Sequence, residues 1–171
     1  MSRLAIAALA FAAADADSKV REVGGNNFGP RIKQYLDNLE PPLPQGAAWC
    51  AAFTHWCWDR AAKLLGVPNP LDAVKHEALV QSYYDQFRLD VIGQAVSVEA
   101  GDLALFKFPR DGKPSETWNH IGQVARVGPG TVFVSIEGNT GDVSQRDGDG
   151  VYEKPRDSAK QPTCFIRVRA A

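Results

Sequence analysis

Two residues of this chain have the type and setting that nucleophilic acyl chemistry needs, Cys50 and His120. A thiol attacks a carbonyl as its thiolate, so it needs a nearby base and surroundings that favour negative charge. Cys50 follows a run containing Pro41, Pro42, Pro44 and Gly46 and falls one residue inside an expected apolar helix. Backbone N–H groups and the helix dipole at that position favour a thiolate. Of the three histidines, His55 lies five residues further along the same helix, roughly 140° round from Cys50. His76 sits near a polar helix start and has no partner visible in the sequence. His120 opens an expected strand, and Gly122 close behind it leaves the ring uncrowded.

A base needs a third group to hold its ring. Residues 119–127 and 131–139 flank Gly128-Pro129-Gly130 and are expected to pair as a hairpin. An even loop sets His120 opposite Asn139 and Gly122 opposite Glu137, with all the polar groups on one face; an odd loop sends Glu137 to the other face. Either Glu137 or Asn139 can then hold the tautomer that accepts the thiol proton. A carboxylate also stabilises the imidazolium formed during attack, which favours Glu137.

Plainer readings compete with these. A cysteine at a buried helix start is often only a small core residue, and Cys57 and Cys164, without such company, read as core. Three cysteines are too few and odd in number for a disulfide framework. Zinc held by Cys50, His55 and Cys57 is excluded, because that spacing on one helix cannot converge on a tetrahedral centre. The acidic run 142–149 lacks the calcium-loop pattern and reads as a solvated turn. Trp49, Trp56 and Trp58 recur at helical spacing and read as core, whereas Trp118 reads equally as core or as cleft wall.

The elements that position these residues divide the chain in two. Residues 4–14 form an alanine-rich apolar run that imitates a signal peptide, but it passes unbroken through residue 22 and reads as a first structural helix. Further helices are expected over 31–39, 49–65, with Gly66 as its stop, and 73–87. Strands are expected over 102–108, 119–127, 131–137, 150–154 and 163–169. Helices first and an antiparallel sheet afterwards is the α+β pattern, and 171 residues without repeats or linkers fit a single domain, 1–171. Nineteen basic and twenty acidic side chains give a net charge of −1, which offers no field for nucleic acid or an anionic membrane surface. No stretch reaches the roughly 18 to 20 apolar residues of a membrane span.

Five short blocks carry a resemblance. Asn26-Asn27-Phe28-Gly29-Pro30, Trp49-Cys50-Ala51-Ala52-Phe53, Gly101-Asp102-Leu103-Ala104-Leu105-Phe106, Asn119-His120-Ile121-Gly122 and Ile136-Glu137-Gly138-Asn139-Thr140 resemble, in order, the cysteine, histidine-dependent amidohydrolase/peptidase (CHAP) family. The resemblance implies a papain-like fold, N-terminal helices packed on a C-terminal antiparallel sheet. It also implies hydrolysis of an amide bond of peptidoglycan, by an N-acetylmuramoyl-L-alanine amidase or an endopeptidase. It makes Cys50 the nucleophile, His120 the base and Glu137 the orienting acid, with Asn139 beside them. Neither a metal nor an organic cofactor is called for. By looser analogy with papain-like proteases, Gln45 is a candidate oxyanion donor. Peptidoglycan is the expected partner, reached from the cytoplasm with the help of a holin or secretion machinery, or met alongside an immunity protein. A catalytically silent wall-binding module and an acyltransferase stand as alternatives on the same fold.

Overall fold

A computed structural model describes residues 2–92, 98–141 and 148–169. Most of the acidic run expected to form a solvated turn, residues 142–147, lies outside them. The first helix, α1 (Arg3–Asp17), begins where the Ser2 hydroxyl accepts the Ala5 N–H at 3.1 Å. It ends short of residue 22 because Lys19 adopts a left-handed conformation. Leu4, Ala5, Ala8 and Ala12 are buried, and such small side chains let α1 pack closely against its neighbours. Asp15 is buried as well. It accepts hydrogen bonds from Arg31 Nη2 (2.7 and 3.0 Å) and Tyr35 Oη (2.7 Å), which ties α1 to α2 (Pro30–Asp37).

Helix α3 (Cys50–Leu65) is buried on all sides through Trp58 and stops at Gly66 in the left-handed conformation, as its apolar composition and terminal glycine require. The helix expected over 73–87 is broken. A 3₁₀ turn at Pro70–Ala73 is capped by Asn69, a turn follows, and α4 covers only Val80–Gln86. Side-chain bonds hold the intervening segment out of helix: Glu77 Oε2 accepts the Glu40 N–H (2.8 Å), and Tyr83 Oη donates to the Glu77 carbonyl (3.0 Å).

The second half forms one antiparallel sheet of six strands: β1 (Val91–Ile92), β2 (Leu103–Phe106), β3 (His120–Val127), β4 (Val132–Thr140), β5 (Gly150–Asp157) and β6 (Thr163–Ile166), in the spatial order β1-β6-β2-β3-β4-β5. The architecture is α+β. Leu103, Leu105, Ile121, Ile136 and Ile166 join the core shared with the helices, while Phe106, Phe108, Val124, Phe133 and Phe165 form a second apolar cluster. Strand β5 runs three residues past the expected end at 154, through Pro155. It is an edge strand, where proline is tolerated. Among the described residues no helix is long and apolar enough to cross a membrane.

Candidate active site

His120 opens β3 directly opposite Phe106 of β2. Asn119 fixes the chain just before it: its Oδ1 accepts the Phe108 N–H and its Nδ2 donates to the Phe108 carbonyl, both at 2.9 Å. The β3–β4 connection is odd, since Val127 pairs with Phe133 and leaves residues 128–132 between them. Continued strictly, that register would send Glu137 away from His120. A β-bulge between Val124 and Arg126 shifts the ladder by one and sets Gly122 opposite Glu137. The register expected from an even loop is thus reached through an odd loop and a bulge.

Glu137 crosses to His120 over the space that Gly122 leaves open; a Cβ at 122 would stand 2.5 Å from Glu137 Cγ. His120 Nε2 lies 2.9 Å from Glu137 Oε2, and both side chains are fully buried. Arg156 of β5 grips the same carboxylate, donating from Nε to Oε1 at 2.8 Å and from Nη2 to Oε2, while the Ser135 hydroxyl also donates to Oε1. The Arg156 guanidinium lies 5.1 Å from each of the Phe106 and Phe108 ring centres. Burial pushes the Glu137 pKa upward, but Arg156 and His120 outweigh it and hold it at about 2. An ionised carboxylate only accepts, so the His120–Glu137 contact assigns the imidazole proton to Nε2.

The other ring nitrogen, Nδ1, therefore carries the lone pair of the neutral ring and takes the second proton of the imidazolium. It makes no hydrogen bond among the described residues. Burial lowers the His120 pKa, yet the adjacent Cys50 and Glu137 raise it to about 9, so Cys50 stands within electrostatic reach of this ring. Cys50 itself is the first residue of α3, just beneath the surface. Tyr83 is fully buried: burial first, then the charges of Glu77 and Cys50, push the phenol pKa well upward.

Asn139, left-handed at a bulge in β4, turns its amide to donate to Asn27 Oδ1 (3.1 Å) and the Gly148 carbonyl (3.0 Å) and to accept the Trp49 N–H (3.2 Å). Of the two residues expected as alternatives for holding the base, Glu137 is the one bonded to His120, while Asn139 anchors the residue preceding Cys50. Gly138 lets α3 sit close, because a Cβ there would meet Trp49 and Phe53 at 2.7 and 2.8 Å. Glu22 completes the mount, accepting the Asn27 N–H (2.7 Å) and the Trp49 indole N–H (2.9 Å).

Other expected residues fall as follows. Gln45 is exposed and accepts the Gly29 N–H at 3.0 Å. Trp118 is half-buried against Tyr84, with Lys107 Nζ 4.9 Å from its ring centre. Trp49, Trp56 and Trp58 are buried. Cys57 and Cys164 are buried too. Burial pushes the Cys57 thiol well up and that of Cys164 to about 11, which leaves both protonated at neutral pH. Arg156, Ser135 and Glu22 had no motif to betray them, although Ser135 shares the alternation of Glu137. The chain matches no family model, and no curated protein is significantly similar to it.

Proposed function

We propose that this chain is a papain-like, CHAP-type cysteine hydrolase that cuts an amide bond of peptidoglycan. The observation that carries the reading is the buried Arg156–Glu137–His120 series, which favours the imidazolium and leaves His120 Nδ1 as the atom that takes up a proton near the thiol at the start of α3. The five blocks of the resemblance also meet at this one place. Asn27 reaches Asn139, Asn139 reaches Trp49, Phe106 lies opposite His120, and His120 reaches Glu137.

In this mechanism His120 Nδ1 takes the Cys50 proton and the thiolate adds to the amide carbonyl, while the Cys50 backbone N–H helps hold the oxyanion. The imidazolium, stabilised by Glu137, returns its proton to the departing amine and a thioester remains. Water, deprotonated by His120, then adds to the thioester and releases the acid and the thiol. The choice between the glycan–peptide amide and a bond within the peptide lies in the groove rather than in this trio.

The test is digestion of purified peptidoglycan by the wild type and by Cys50→Ala, with fragments identified by mass. New amino termini are expected from the wild type alone, with a rate loss of about 10³-fold or more in the variant. Equal digestion by both would sink the nucleophile assignment, and transfer of the acyl group to an added amine in place of water would redirect it to an acyltransferase.

A further inference from the structure

On the flank of α3, away from the chemistry just described, His55, Asp72 and Glu77 bring one nitrogen and two carboxylate oxygens within 4.8 Å of one another. His55 Nε2 lies 3.4 Å from Asp72 Oδ1 and 3.6 Å from Glu77 Oε1. Both separations are ion-pair distances for a protonated ring, yet His55 Nε2, on a side chain only 4% exposed, has no hydrogen-bond partner among the described residues. A buried imidazole nitrogen thus points at two carboxylates without bonding to either.

The distances fit a different geometry. Tetrahedral zinc with bonds of about 2.0 to 2.2 Å separates its ligand atoms by roughly 3.4 Å. Asp72 Oδ1 accepts the Asn69 amide N–H at 2.8 Å, a bond that orients it and uses one of its lone pairs. Glu77 anchors itself through Oε2 to the Glu40 N–H (2.8 Å), which leaves Oε1 facing the cluster. His55 Nδ1 faces Asn38 Nδ2 at 3.2 Å; a metal on Nε2 requires that amide to turn about its own axis, so that its Oδ1 accepts Nδ1–H and Nε2 presents its lone pair. The cluster lies in a pocket open to solvent, where Glu40 and Asp59 add negative charge and Lys63 and Lys75 offset part of it. Lys63 is itself paired with Asp59 at 2.7 Å.

We propose that His55, Asp72 and Glu77 form a binding site for a first-row divalent metal ion of the zinc type, with solvent completing its coordination. An imidazole ligand favours such an ion over calcium or magnesium, which take oxygen. Bound there, the ion joins α3 to the 3₁₀ turn and to the segment carrying Glu77. Through the Tyr83–Glu77 bond, that segment also holds the buried Tyr83 of α4. The role is structural, separate from the hydrolytic reading.

The test titrates ZnCl₂ into the full chain carrying Cys50→Ala, which removes the active-site thiol as a competing ligand. Calorimetry and thermal melts are the readouts. About one Zn²⁺ per chain is expected, with a raised melting temperature that chelator reverses. Exposed Asp72→Asn and buried Glu77→Gln should each weaken binding by roughly tenfold or more, as outer changes of this kind already cost 10- to 100-fold. Asp72→Asn should fold as the parent does, which keeps the test sound where Glu77→Gln or His55→Gln destabilises the chain. Absence of saturable binding, unchanged affinity in Asp72→Asn, or a larger melting shift with Ca²⁺ than with Zn²⁺ would each overturn the proposal.

Discussion

Glu137 could not reach His120 if residue 122 carried a side chain, so the orienting carboxylate depends on an atom that is missing from its neighbour. What Glu137 then does is electrostatic. It helps raise the His120 pKa to about 9 against the lowering effect of burial. A step that needs the imidazolium proceeds below that pKa and is lost as pH rises through it. Glu137→Gln removes one of the two groups that raise the pKa. The alkaline limb of kcat/KM should therefore move down by about 1 to 3 units, and the maximal rate should fall roughly 10²- to 10⁴-fold. A pH–rate profile on a soluble peptidoglycan fragment measures both, and an unmoved limb would remove Glu137 from the orienting role. The meeting of His120 with Glu137 was legible because their residue types and blocks announce it. Arg156, which grips Glu137 as firmly as His120 does, was not: Pro155 hides the strand that carries it, and nothing local marks a buried arginine.

At the scale of elements, helix identity was readable from apolar spacing and glycine stops, as for α3, and strand identity from β-branched alternation. Boundaries and breaks were not, because long-range bonds decide them. The Glu77 carboxylate bonded to Glu40 and its carbonyl to Tyr83 keep a turn where propensity suggests helix, and the bulge at Ala125 corrects a hairpin whose loop is odd. Asn139 shows the same principle at the join of β4 and α3, where its amide bonds Asn27, Gly148 and the Trp49 N–H that precedes α3. Asn139→Gly keeps the left-handed backbone accessible while deleting the amide. It should cost about 1 to 3 kcal/mol by leaving buried partners unpaired and slow hydrolysis, yet leave the alkaline limb near its wild-type pH. Denaturant melts and the pH profile together separate this mounting role from orientation of His120. A limb displaced as far as in Glu137→Gln would return Asn139 to the base.

For the whole molecule, α1 decides whether the two halves act as one body. Its alanine-rich sequence lays Ala8 and Ala12 into the core, and its Asp15 reaches α2. There the carboxylate bonds Arg31 and Tyr35, and Tyr35 stacks on Trp49 at 5.6 Å, one residue before Cys50. The path from the first helix to the thiol is therefore short and runs through packed side chains. Asp15→Ala would strand a buried phenol and leave Arg31 without its carboxylate. Because Arg31 is a third exposed, water recovers part of that loss, and the destabilisation should be about 2 kcal/mol rather than the roughly 3 to 5 kcal/mol of a fully buried pair. For a domain of this size that lowers the melting temperature by roughly 4 to 8 °C. Tyr35→Phe deletes only the hydroxyl and keeps the ring on Trp49, so it should cost about half as much and leave the rate of Cys50 alkylation unchanged. Melting curves for the two variants, with iodoacetamide labelling of Cys50 in each, test this. A melting temperature unchanged in Asp15→Ala would mean that α1 is held by its alanines alone.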